Sequence, residues 1–260
     1  MLKILKYSFY DLMRSRWSYV YFLFYLLLGV VLLFLNNDLS KAVITLMNVI
    51  IILVPLIGTI FGVMYYYNSK EFTELLLAQP LKRSTIFLGQ YLGVALSLSM
   101  SLIVGLGLPF VFYGIFKSSA IWDFSLLLIT GTFLTLIFTA LAFNIALSNE
   151  NKIKGFGYAI LLWLFMAVIY DGIFLMSLLI FEDYPLDKFS LIATMFNPID
   201  LSRVLILLKL DISALLGYTG AVFQKFFGTN FGIIISSTIL LIWVLIPTFF
   251  IRRKANKKDF

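Results

Sequence analysis

Five apolar stretches of the chain carry no charge: Trp17 to Leu35, Val43 to Tyr66, Ile86 to Phe116, Phe124 to Leu147 and Phe231 to Ile251. A sixth, Gly157 to Phe181, is interrupted only by Asp171. A helix needs roughly 20 mostly apolar residues to cross hydrocarbon. The pattern therefore predicts an all-α, polytopic membrane protein with six transmembrane helices. The third window is long enough to start outside the bilayer or to tilt within it. Ahead of the first span, residues 1–16 place Leu2, Leu5, Phe9, Leu12 and Met13 at helical spacing, with Lys3, Lys6, Arg14 and Arg16 off that stripe. This reads as an N-terminal amphipathic helix lying in the interface. The first apolar run ends in "LLFLNND" without a small-residue cleavage site, so it is expected to stay as a span. Two polar segments remain, 67–85 between spans two and three and 182–230 before span six.

Charge orients the spans. With both termini on the same side, that side carries fourteen Lys and Arg against six on the other. The bias follows the positive-inside rule and predicts cytoplasmic N and C termini. Because the excess of base is confined to one side, it is a topology signal and speaks against a nucleic-acid partner. Tyr65, Tyr66 and Tyr67 close the second span where an aromatic belt is expected. Gly58 with Gly62, and Gly89 with Gly93, have the G-x-x-x-G spacing that lets helices approach closely, within one chain or between two copies. Pro55, and Gly105, Gly107 and Pro109, are expected to kink spans two and three.

Composition removes whole classes of chemistry. The chain of 260 residues is 62% hydrophobic and has no cysteine and no histidine, with a mean hydropathy of +1.01. Disulfides, thiolate or imidazole metal sites, and Ser-His or Cys-His nucleophiles are excluded. There is no G-x-x-x-x-G-K-[ST] phosphate loop. One acidic residue inside the spans and no evident internal repeat argue against an ion-coupled carrier, and an intramembrane enzyme lacks its catalytic groups. Glu182, Asp183 and Asp187 form an acidic loop rather than a cation site, and Met195 is the outer segment's one soft ligand, so no metal site is expected.

Within 67–85, Asn68 with Glu71 three residues later suggests a capping box, and Pro80 stops the helix, predicting a short helix from about Ser69 to Ala78. Ser84 or Thr85 then caps the next helix. On a wheel Glu71, Glu74 and Ala78 share one face and Phe72, Leu75 and Leu76 another. So short a helix is marginal in water and needs a docking surface.

The outer segment holds "LSRVLILLKL", too short to span and expected to pack in or on the outer interface. Asn197-Pro198 is a helix-start signal and Asp211 caps a second short helix ending near Gly217. Asp171, toward the outer end of span five, must face protein or water, since a charge at the bilayer centre costs at least ~2.5–3.5 kcal/mol. It either lines a central path or a dimer contact, or bonds a neighbouring helix through Tyr170, Thr or Ser side chains.

The run "YYNSKEFTELLLAQPLKRSTIFLGQ" resembles the segment between spans two and three of the ABC-transporter type-2 permeases. That resemblance implies the type-2 exporter permease fold and assigns a coupling helix, seated in a cleft of a cytoplasmic ABC ATPase, to Glu71, Glu74, Leu75, Leu76, Pro80 and Arg83. Gln90 departs from the lysine of many relatives. "NPIDLSRVLILLKLDISALLGYTGAVF" is similar to the matching region of the NosY permeases, which serve copper-site maturation of nitrous oxide reductase. It implies contact with a periplasmic repeat protein through Asn197, Pro198, Asp200, Arg203 and Asp211. It also implies a bacterial inner-membrane location, a second copy of the chain, and a non-catalytic subunit whose ATP and Mg are bound by the partner ATPase. An exporter permease for a lipid, peptide or drug-like substrate is the alternative.

Overall fold

A computed structural model describes residues 1–36, 38–181, 186–209 and 230–257, with only the backbone described for residues 187, 208, 209, 230 and 231. The described elements are helical: α1 Leu2–Arg14, α2 Arg16–Leu35, α3 Leu39–Asn68, α4 Lys70–Leu77, α5 Arg83–Phe112, α6 Ile121–Ser148, α7 Lys152–Leu164, α8 Tyr170–Ile180, α9 Asp187–Phe196, α10 Pro198–Lys209 and α11 Asn230–Lys257. A π turn, Phe165–Ile169, joins α7 to α8 as one span. With α2, α3, α5, α6 and α11 this makes six helices long and apolar enough to cross a membrane.

The observed spans exceed the uncharged windows because polar residues cap them beyond the apolar run. Asp38 accepts from Ser40 N at the start of α3, and Asn151 accepts from Ile153 N and Lys154 N at the start of α7. The third span ends at Phe112, short of the expected Phe116, because Gly114 at φ 91° takes the left-handed conformation that terminates a helix. Pro55 and Pro109 sit inside helices that continue through them.

The core is built on α3 against α6 and α2 against α5, with α11 lying on α5 and α6. Phe87 and Tyr91 of α5, Phe138 and Phe143 of α6, and Leu46, Met47 and Ile50 of α3 are fully buried there. Without a hydrophobic force between helices in lipid, close backbone approach provides the packing. A Cβ on Gly62 would stand 2.8 Å from Ala142 Cβ, so the first glycine pair binds α3 to α6 within the chain. The second pair binds α1 to α5: a Cβ on Gly93 would meet Ser8 Cβ at 2.6 Å and Leu5 O at 2.8 Å.

Helix α1 is thus seated on α5. Of the expected apolar stripe, Leu12 is buried and Leu5, Phe9 and Met13 are half-buried, while Leu2 is exposed; Ile4 and Ser8 complete the packed face. A serine stands at the closest contact, where a small side chain is needed. The tyrosine belt is also corrected. Tyr65 and Tyr66 turn into the core, and Tyr67 donates to Asn149 O at 2.8 Å.

The polar segments between spans gather at the two ends of this bundle. At one end Lys152 Nζ donates to Asn68 Oδ1 at 3.1 Å and Lys254 Nζ to Ser148 Oγ at 2.7 Å, joining the segments that carry most of the base. At the other end α9 and α10 form a broken hairpin with a 118° bend.

Candidate functional site

At the basic end, α4 follows α3 after the single residue Ser69. Asn68 does not cap it: Asn68 completes α3, its side chain is taken up by Lys152, and Ser69 makes no side-chain cap bond. What fixes α4 is tertiary. Phe72 stacks on Tyr7 of α1 with ring centroids 4.4 Å apart. Thr73, buried, donates to Ser69 O and accepts from Gln90 Nε2 of α5 at 2.8 Å. Thr73 and Gln90, neither flagged by hydrophobic pattern, therefore anchor the helix. A glutamine fits where a lysine would be a buried charge.

Glu71, Glu74, Leu75 and Pro80 are turned to the outside, as is Arg83, where α5 begins without a Ser84 or Thr85 cap. Leu75 is 68% exposed, so it belongs to the acidic face and not to the docking face expected from the wheel. Leu76 is half-buried, on the inward side with Phe72. The outcome is a short, rigidly seated helix that offers two carboxylates and one leucine. Lys70 and Glu74 pair at 3.8 Å on its exposed surface.

At the opposite end, α10 goes further into the protein than an interface helix. It contacts α3, α6 and α11, and Ile199, Leu201, Val204, Leu205, Ile206 and Leu207 are buried. Asn197 Oδ1 accepts from Ile199 N at the start of α10, with Pro198 in the first helical position. Its amide donates to Asp200 Oδ2 and to Met166 O inside the π turn, each at 2.8 Å. A π turn loosens the usual backbone ladder, and here a carbonyl within it is claimed by the hairpin.

Arg203 Nη1 donates to Asp171 Oδ2 at 2.8 Å and lies 3.5 Å from Asp200 Oδ1. Asp171, expected either to line a path or dimer contact or to bond a hydroxyl of a neighbouring helix, is thus an ion-pair partner of the outer segment. Tyr170 does bond the hairpin, through Ala193 O at 2.7 Å, and Trp243 of α11 donates to Met195 O at 3.1 Å. These bonds latch the hairpin to the fifth and sixth spans.

Asn197, Pro198 and Asp200 are buried inside this latch and present no face to an outer partner, and Arg203 is engaged with both aspartates. Asp211, Glu182 and Asp183 lie outside the described residues. Among the described residues no three Asp or Glu side chains gather as metal ligands.

No protein-family model matches the chain. Two curated relatives align with most of it. A "Probable ABC transporter permease protein NosY" of Stutzerimonas stutzeri is 24% identical over 226 residues, 81% of this chain and 78% of the relative. One of the same description from Pseudomonas aeruginosa is 25% identical over 224 residues, 78% of this chain and 80% of the relative.

Proposed function

We propose that this chain, an ABC transporter permease subunit similar to the NosY permeases, carries ATP-driven motion from a separate ATPase to the far side of the membrane. The observation that supports this reading is the seat of α4: Phe72 on Tyr7 and Thr73 on Gln90 hold the helix to α1 and α5, leaving Glu71, Glu74 and Leu75 outward. A push on such a helix moves α5, and α5 packs on α2 and α6 in the core. In this reading the basic end is cytoplasmic, an ABC ATPase dimer carrying ATP and Mg grips α4 on each of two permease copies, and the α9–α10 hairpin responds. A periplasmic repeat protein is the outer partner. The latch residues Asn197, Asp200 and Arg203 serve it indirectly, by fixing how the hairpin stands. The process is copper-site maturation of nitrous oxide reductase, supported by the resemblance of the segment 197–223 to the matching region of the NosY permeases and by relatives that bear the NosY name.

One experiment addresses both levels. In a strain lacking the chain, a Glu71→Lys, Glu74→Lys double variant should lose the co-purifying ATPase and leave the reductase short of copper. Reversal breaks only an exposed i,i+4 pair, worth about 0.3–0.5 kcal/mol, so the spans stay folded. Retained ATPase would refute the coupling role. Normal reductase copper in the strain lacking the chain would refute the copper role.

A further inference from the structure

At the basic end, a groove of about 480 Å³ opens between the ends of α6 and α11. Its lining combines apolar Leu147 and Phe250 with cationic Arg253, Lys254 and Lys257, and Glu150 is the one acid in it. We propose that this groove binds the headgroup of an anionic phospholipid.

Three observations carry the assignment. First, the groove straddles the level at which the uncharged run of α11 ends, between Ile251 and Arg252, so Phe250 stands on the hydrocarbon side of that level and Arg253, Lys254 and Lys257 on the headgroup side. Basic pockets between spans at this level suit phosphate headgroups. Second, one cation is set in place beforehand. Lys254 Nζ donates to Ser148 Oγ at 2.7 Å and to Asn144 O at 3.1 Å, which leaves the third N–H of the ammonium for a ligand. Arg253 and Lys257 are exposed beside it, and neither has an acidic partner within ion-pair distance among the described residues.

Third, the charge sets this groove apart from a second cavity at the same end, about 170 Å³ between α1 and α3, whose lining includes Asp11 and Trp17 and no Lys or Arg. A lipid fits better than a water-soluble protein surface because Phe250 of the lining adjoins further exposed apolar residues of α11, Leu245, Ile246 and Phe249. A phospholipid matches that arrangement with acyl chains along α11 and phosphate at Lys254.

The test is titration of the delipidated full chain in detergent with phosphatidylglycerol or phosphatidylcholine, read by native mass spectrometry. Phosphatidylglycerol should bind at least ~10-fold more tightly than phosphatidylcholine. Each interfacial cation contributes about five-fold, so Arg253→Gln with Lys257→Gln should weaken phosphatidylglycerol about 25-fold. Arg14→Gln with Arg16→Gln, at the same end but away from the groove, should change it less than about three-fold. Equal binding of the two lipids, or an equal loss in both double variants, would overturn the proposal. So would competition by inorganic phosphate in millimolar excess, which would mark a soluble anion as the ligand. Loss of a bound protein partner from the groove variant with lipid binding unchanged would assign the groove to that partner instead.

Discussion

Replacing Arg203 by glutamine should destabilise the protein more than replacing Asp171 by asparagine, although both changes break the same ion pair. Arg203 stands between two carboxylates, 2.8 Å from Asp171 and 3.5 Å from Asp200, with the Asp200 side chain only 9% exposed. Its removal leaves two acids on one site with no cation. Stripping the partner from a buried pair costs about 3–5 kcal/mol, and the Arg203 and Asp171 side chains at 26% and 29% exposure place the loss near the lower bound, about 3 kcal/mol. Asp171→Asn instead keeps an oxygen acceptor at the same place and leaves Arg203 paired with Asp200, so the loss is that of one hydrogen bond, about 1 kcal/mol.

At about 2–4 °C per kcal/mol for a chain near this size, Arg203→Gln should lower Tm by roughly 6–12 °C and Asp171→Asn by roughly 2–4 °C. The neutral triple variant, Asp171→Asn, Asp200→Asn and Arg203→Gln, should recover much of the loss because no charge is left unpaired. Thermal unfolding in detergent measures the order. Tryptophan emission reports the hairpin, since Trp243 Nε1 donates to Met195 O. If Arg203→Gln unfolds no earlier than Asp171→Asn, or the triple variant unfolds no later than Arg203→Gln, charge balance is not what holds the hairpin.

The basic end yields two further expectations. Gly93→Leu should drive α1 off α5 at an overpacking cost of about 1–3 kcal/mol. In this cysteine-free chain, single cysteines at Tyr7 and Phe72 joined by a short bifunctional thiol reagent should then stop crosslinking, and an unchanged yield would refute the glycine seat. Gln90→Leu removes a buried donor but leaves the Thr73 hydroxyl bonded to Ser69 O, so it should cost only about 1 kcal/mol. Amide exchange should nevertheless quicken in α4, and unchanged exchange would show that Gln90 is not its anchor.

The spans were legible because hydrocarbon imposes one rule over long windows, and the charge-free runs obey it. The helix-start at Asn197-Pro198 and the two glycine pairs were legible because each rests on local stereochemistry. What sequence reading missed depends on contacts far apart in the chain. Nothing near Asp171 announces Arg203, and the pairing follows only once the hairpin folds back into the bundle. The hairpin itself was hidden because each arm is too short to cross, and only together do they carry enough apolar length. The inward Tyr65 and Tyr66 and the outward Leu75 show the same limit: hydropathy gives a face, and neighbours decide which way it turns. Gln90 looked like a departure from a pattern until Thr73 was found opposite it.

The seat of α1 has a consequence for the order of assembly. Leu5 and Ser8 meet Gly93 of the third span, which is synthesised after the first two spans have entered the bilayer. The N-terminal helix therefore lacks its α5 seat when it is made, and its apolar side must wait in the lipid surface. Amphipathic character serves that waiting period, and the small residues serve the docking that ends it. The same thirteen residues are written for two successive environments.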